Sequence, residues 1–381
     1  MCIRDSKHLD LAGGASQTSG QGPEFAIQSR HGVLPRSPVE SQRSPGPPPS
    51  QAPQALRVII PTRNEAASLP ALLADLKAQQ GVDPRLTVVD GGSTDATVAL
   101  AQRAGAEVRQ SPPGRGQQLN AGWRGQDEDW LLFLHADSLL PDPWLLARAL
   151  RATRAWPART AGHFALEFIH TPWPKPRFYA HLEAKSALNR PQCFNGDQGL
   201  LIRRSFLDRL GGFDESLPFL EDQALGARIH AQGQWRTLPG HLQTSARRFE
   251  TEGRGARYAA MFLIMCAREV DARDYLAGLP ALYREQSEAG PLRLRPLARA
   301  LLTRLQAEPQ SWERLAEYTL RNAWQPVALA DTLAGREGDW LRAYARTLEP
   351  WLLEADALRA PMALALRGLG GLLGRSLLRP E

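Results

Sequence analysis

The sequence is poor in cysteine, in long apolar runs and in aromatic residues, and each shortage removes a class of protein. Three cysteines stand far apart in 381 residues, at Cys2, Cys193 and Cys266. An odd, scattered set supplies neither a disulfide framework nor paired zinc ligands, and it points to a reducing compartment. No stretch approaches the roughly 18 apolar residues that a membrane-spanning helix needs, and the N-terminus lacks the apolar centre of a signal peptide. Aromatics make up 7% of the chain and no Lys/Arg cluster is interleaved with them, so a nucleic-acid groove is not expected. The expectation is a cytoplasmic protein with no nucleic-acid partner, for which peripheral membrane contact stays open.

What is present is the composition of a folded protein, 43% hydrophobic and 23% charged. The formal charge of +6 favours anionic partners without choosing among nucleotides, phospholipids and other anions. Residues 1–55 depart from this average. They are rich in Ser, Gly, Gln and Pro, with Ser-Pro-Gly-Pro-Pro-Pro-Ser at 44–50, and carry no apolar periodicity, which predicts a disordered tail.

From Leu56 short apolar runs alternate with amphipathic stretches. Residues 56–61, 86–90, the segment around Val108 and 130–135 read as strands; 69–79, 95–104 and 116–125 read as helices, with Ser68, Ser93 and Thr94 as cap candidates. Such alternation predicts an α/β fold with a mostly parallel sheet flanked by helices. Right-handed crossovers bring Pro61, Asp90 and Asp137 to one sheet edge. After about residue 160 the alternation loosens, with strands expected at 162–169 and 199–202 and helices at 177–189, 221–231 and 257–270. This half is expected to hold the second substrate. Beyond about residue 285 the chain reads as all-helical, at 297–307, 312–323, 340–354 and 362–378. The last of these sets Leu366, Leu369, Leu373 and Leu377 on one face, with Arg367, Arg375 and Arg379 elsewhere, and suits either packing on the domain or contact with anionic lipid. The expected organisation is a tail (1–55), an α/β domain (56–285) and a helical extension (286–381).

Five motifs carry chemistry. In Ile-Ile-Pro-Thr-Arg-Asn-Glu at 59–65, Pro61 stops a strand and Asn64 and Glu65 offer acceptors to a sugar or base. In Val-Val-Asp-Gly-Gly-Ser-Thr-Asp at 88–95, Asp90 ends a strand and can accept an imide hydrogen bond from a nucleobase, while Gly91 and Gly92 let the backbone approach a ligand; Asp95 reads as helix-start stabilisation. Gly-Arg-Gly-Gln-Gln-Leu-Asn at 114–120 opens a helix and suits a pyrophosphate through Arg115 and backbone donors, with Asn120 beside it. His135-Ala136-Asp137 delivers a carboxylate to the end of a buried strand, where Mg²⁺ or Mn²⁺ can be shared with substrate phosphates. Glu221 and Asp222 open a helix, and one of the two is a candidate general base.

In this order the motifs resemble the family 2 glycosyltransferases over about residues 56–285. Within that family the strings GRGQQLNAG, LLFLHADS, GDQGLLIRR and TSARRFE are similar to the subgroup labelled radical-SAM/selenodomain-associated transferase 2. The resemblance implies the nucleotide-sugar-binding fold called GT-A, with Pro61, Thr62, Asn64, Glu65 and Asp90 around the nucleoside. It implies that Asp137 helps bind a metal–diphosphate and that Asp222 is the base of an inverting displacement. Asp197, Gln198 and Arg248 are expected near the acceptor. Two departures bear on the chemistry: the family's Asp-X-Asp is here His135-Ala136-Asp137, and its polymerase-type Gln-X-X-Arg-Trp is Ser-Ala-Arg-Arg-Phe at 245–249. The second implies a single, non-processive transfer. A nucleotidyltransferase that makes a nucleotide sugar, and a non-catalytic nucleotide-sugar-binding protein, stand as the alternatives.

Overall fold

A computed structural model describes residues 53–279, 291–336 and 338–377. Nearly all of the expected tail, the 285/286 boundary, Leu378 and Arg379 lie outside the described residues, as do the side chains of Arg375 and Leu377. Strand β1 (Gln54–Thr62) is central. Its side chains alternate between two cores, as the two-residue period of a strand requires. Leu56, Val58 and Ile60 enter one core with Leu72 and Leu76 of α1 (Leu69–Lys77) and Leu146 and Leu150 of α4 (Leu145–Thr153). Ile59 enters the other, with Trp123 of α3 (Arg115–Trp123), Phe206 of α6 (Arg204–Leu210) and Ile229 of α7 (Glu221–Gln232). A strand buried on both faces reads as a continuous apolar run, which is what 58–60 shows.

The sheet has seven strands in the order β3-β2-β1-β4-β6-β5-β7. β2 (Val82–Asp90) and β4 (Trp130–Phe133) flank β1 in parallel, and β3 (Glu107–Gln110) extends the parallel half. β6 (Leu200–Arg203) is antiparallel to both β4 and β5 (Thr160–Ile169), so its entry loop arrives at the edge where β1, β2 and β4 end. β7 (Gln234–Ser245) closes the far edge, parallel to β5. The sequence conceals β7, because Pro239-Gly240 interrupts it. A proline is admitted on an edge strand, and the β5–β7 register shifts at His163/Ala165.

Two expected caps do other work. Ser93 Oγ bonds the Asp90 carboxylate and Thr94 Oγ1 lies 3.3 Å from Asn64 Oδ1, while helix α2 (Thr97–Arg103) begins later, with Asp95 accepting from the Thr97 N–H at 3.0 Å. After β7 come α8 (Arg247–Glu252), α9 (Arg254–Glu269), α10 (Leu294–Ala307) and α11 (Ser311–Arg321). Ile264 of α9, Leu301 of α10, Trp312 of α11 and Ala363 of α14 (Arg359–Leu377) share one core, whereas Phe249 of α8 packs in the core with Leu56 and Val58. Helix α12 (Trp324–Ala334) and α13 (Asp339–Glu354) pin Trp324 and Tyr344 against Cys193, and Arg190 pairs with Glu349. Cys193 and Cys266 are free and buried. Along α14, Leu366 turns inward while Leu364, Leu369, Leu372 and Leu373 are exposed, so the expected leucine face is split between core and surface. No helix among the described residues is long and apolar enough to cross a membrane.

Candidate active site

The parallel ladder sets Thr62 opposite Asp90 at the ends of β1 and β2. Thr62 and Asp90 are both buried, and the Asp90 carboxylate accepts from the N–H groups of Gly92 (3.1 Å) and Ser93 (3.0 Å). Asn64, held at φ 55°, accepts the Thr94 N–H at 2.8 Å and donates its own N–H to Ser93 Oγ at 2.9 Å. Glu65 donates its N–H to Thr97 Oγ1 (2.7 Å) and accepts from Ser68 Oγ (2.8 Å). These acceptors tie loop 63–68 to loop 91–97, so the two loops form one rim. Pro61 lies opposite Val89 just behind that rim. Gly91 makes its close approach to protein: a Cβ there would meet Gln118 Nε2 at 2.8 Å, and that amide already donates to Thr62 O and Val89 O.

Two sequence-derived candidates turn away from the cleft. Asn120 is fully buried; its amide donates to Phe213 O and Glu215 Oε1 and accepts from Phe213 N–H and Trp123 Nε1–H. That uses the whole bonding capacity of the amide. Gln198 is likewise fully buried, accepting from Asn195 N–H at 2.7 Å and donating to Ser186 O at 2.6 Å. Both fasten loops. A polar residue in a motif can serve the backbone instead of a ligand.

Glu221 and Asp222 open α7 directly after Leu220, whose φ of 70° is unusual for a residue with a side chain. Asp222 Oδ2 accepts the Gly196 N–H at 2.7 Å, and Oδ1 accepts the Gln223 N–H at 2.6 Å. Gly196 belongs to a short 3-10 turn, Gly196–Gln198, at the entry to β6. A Cβ on it would lie 2.7 Å from His135 Nε2 and 3.3 Å from Asp222 Oδ2, so the absent side chain lets His135 and Asp222 converge. Glu221 is almost completely buried, and its Oε1 sits 3.5 Å from Arg115 Nε. Burial pushes its carboxyl up to about 7, opposed by Arg115 and reinforced by Asp222.

Arg115, His135, Gly196, Glu221 and Asp222 line a small cavity of about 20 Å³. His135 also lines a larger one of about 420 Å³, together with Asp137, Asp197 and Arg248. Asp197 Oδ1 is buried without a hydrogen-bond partner, and its carboxyl is raised by burial and by the neighbouring charges of Asp137 and Asp222. An orphaned carboxylate oxygen beside Asp137 fits a hard cation that shares oxygen ligands with a substrate phosphate. Among the described residues no group of three or more His, Cys, Asp or Glu side chains is arranged to hold a metal alone. Lys185, Arg247 and Tyr258 also line the larger cavity; Arg247 falls within the string TSARRFE, while Lys185 and Tyr258 lie in no motif and come from elements that only the fold brings together.

Residues 57–211 match the family described as Glycosyl transferase family 2. Those residues are a family 2 glycosyltransferase domain. The domain match ends before Glu221 and Asp222. A PGL/p-HBAD biosynthesis glycosyltransferase of Mycobacterium tuberculosis is 39% identical over 98 residues, 24% of this chain and 38% of that protein. An uncharacterized glycosyltransferase of the same species is 45% identical over 69 residues, covering 18% and 30%. The chain therefore spans less than two fifths of the length of either relative. Among solved structures, Staphylococcus aureus TarS in complex with UDP gives a TM-score of 0.45 at 16% identity, covering 77% of this chain and 91% of that one. Mannosyltransferase PcManGT from Pyrobaculum calidifontis, in complex with GDP-Man and Mn²⁺, gives 0.44 at 20% identity, covering 86% and 91%. The family 2 domain contains most of the site's parts, from Thr62 to Asp197, and α7 and α8 complete it.

Proposed function

We propose that the protein is an inverting glycosyltransferase that moves a sugar from a nucleotide-diphosphate sugar to a hydroxyl acceptor in one non-processive transfer. The observation that carries this reading is the Asp222 carboxylate. It is fixed by two backbone N–H groups beside His135, with Arg115 and Glu221 lining the same small cavity. In the reaction Asp222 takes the acceptor's hydroxyl proton, the oxygen attacks the anomeric carbon, and the bond from that carbon to the diphosphate oxygen breaks with inversion. Arg115 stabilises the departing negative charge. The rim built by Thr62, Asn64, Glu65 and Asp90 holds the nucleoside. Asp137, with Asp197 nearby, would hold Mg²⁺ or Mn²⁺, which when bound neutralises diphosphate charge. Arg248 faces the acceptor. The reading assigns transfer to residues 56–285, a helical extension to 286–381 and a non-catalytic tail to 1–55. It sets the reaction in the cytoplasm, in keeping with two free, buried cysteines.

The test is Asp222→Asn, which keeps the shape and removes the base. UDP or GDP binding by calorimetry is expected to stay within about twofold, while transfer falls by at least roughly 10²-fold. Undiminished transfer in the variant would remove Asp222 from the mechanism, and absence of nucleotide binding in the unmodified protein would remove the whole reading.

A further inference from the structure

The larger cavity has walls of two kinds. Leu166 and Phe168 of β5, Leu182 of α5 (Arg177–Ser186), Phe249 and Met261 give it a mostly apolar surface. Lys185 and Arg247 add positive charge. The Lys185 ammonium lies 2.9 Å from Gln325 Oε1 and 3.4 Å from the Tyr258 hydroxyl, over the rings of Tyr258 (5.5 Å) and Trp324 (5.8 Å). Among the described residues no carboxylate pairs with it, nor with the guanidinium of Arg247, an exposed residue at the cavity's border. Taking an ammonium partly out of water is costly unless a counter-charge offsets it. A neutral sugar would leave both features unused, covering neither the apolar wall nor the two cations.

We infer that this cavity binds an amphipathic anion: a hydroxyl-bearing acceptor with an apolar body and a carboxylate or phosphate directed to Lys185 and Arg247. This rests on the glycosyl-transfer reading and names the acceptor's chemical class. The acceptor spans the cavity from Lys185 on α5 to His135, which also borders Asp222.

Matched probe pairs test it, measured on the full-length protein saturated with nucleoside diphosphate. One pair is a hydroxyphenylalkanoate and its carboxamide; the other is a monodecyl glycerol phosphate and the uncharged decyl glycerol. Glycerol phosphate serves as an anion without an apolar body. Each charged amphiphile is expected to bind at least about ten times more tightly than its neutral partner and than glycerol phosphate, the size of one charge-assisted contact. Preference for the lipid phosphate or for the aryl carboxylate identifies the source. Lys185→Met is expected to shrink the charged-to-neutral ratio, with thermal melting reporting its folding. Equal binding within each pair, tighter binding of the neutral members, or no binding of either charged amphiphile at millimolar concentration overturns the inference, and the comparison in the unmodified protein decides even where the variant fails to fold. Nucleotide binding, measured in the same samples, separates this failure from failure of the transferase reading.

Discussion

Replacing Glu221 by Gln changes one oxygen and one charge at a site almost sealed from solvent. In the folded protein the Glu221 carboxyl is raised from its ordinary 4.5 to about 7, chiefly by burial. The native state therefore binds this proton more tightly than the unfolded chain does. The resulting stabilisation is full below about pH 4.5, declines as pH rises, and is gone above about pH 7. Two and a half units, at about 1.36 kcal/mol each, make the difference about 3 kcal/mol at most. Gln has no proton to lose. The stability of Glu221→Gln relative to the unmodified protein should rise by up to that amount between about pH 5 and about pH 7.5, then level off. Urea unfolding in half-unit pH steps at constant ionic strength reads the difference curve directly. A flat curve, or one that falls with pH, would refute the assignment of a raised carboxyl to Glu221. Arg115 supplies a further check, because it opposes the shift: in an Arg115→Gln background the rise should extend to higher pH. A nucleoside diphosphate that draws the Arg115 guanidinium away should also cause proton uptake near neutral pH. Calorimetry in two buffers of different ionisation heat measures that uptake.

Two further substitutions probe close contacts. Gly122→Ala places a Cβ 2.3 Å from Ile59 Cγ2 and 2.9 Å from Val89 Cγ2, both in the fully buried sheet face. Overpacking of this kind should cost roughly 1–3 kcal/mol in urea unfolding, and an unchanged midpoint would mean that α3 rides higher on the sheet. Gly196→Ala places a methyl group between His135 and Asp222. Transfer should fall by roughly 10²-fold with nucleotide binding retained, and wild-type turnover would show that the two side chains need not converge.

The parallel half of the sheet was legible because its signals are local. A strand buried on both faces must be apolar throughout, as 58–60 and 130–134 are, and each is followed by a polar loop and an amphipathic helix. The antiparallel half was less legible. β7 hides behind Pro239-Gly240, which an edge strand tolerates, and α12 went unread because it follows the helix expected at 312–323 with almost no loop and carries a proline in its first turn. At the candidate site, motif and strand end coincide for Asp90, and Asp137 lies in the loop after β4, whereas Asp222 stands at a helix start and is brought beside His135 only by the fold. Asn120 and Gln198 could not be told from ligand-binding amides, since the partners that use up their bonds, Phe213 and Ser186, lie far away in sequence or across a turn. Lys185 gave no signal at all, for a half-buried cation without a counter-charge is recognisable only after the surrounding elements have packed.

Asn120 has one more consequence. Its amide fastens the middle of α3 to residues 213–215, and a Cβ on Gly116 would strike Asp214 O at 2.6 Å, so the start of that helix also abuts the same loop. Arg115 stands on one arm of this clamp and Glu221 stands six residues beyond the other. The spacing of the two backbones is thus set as in a caliper locked by its screw. In the proposed reaction, exchanging Glu221 for an incoming phosphate would therefore take a rotation of the Arg115 side chain and no displacement of a helix.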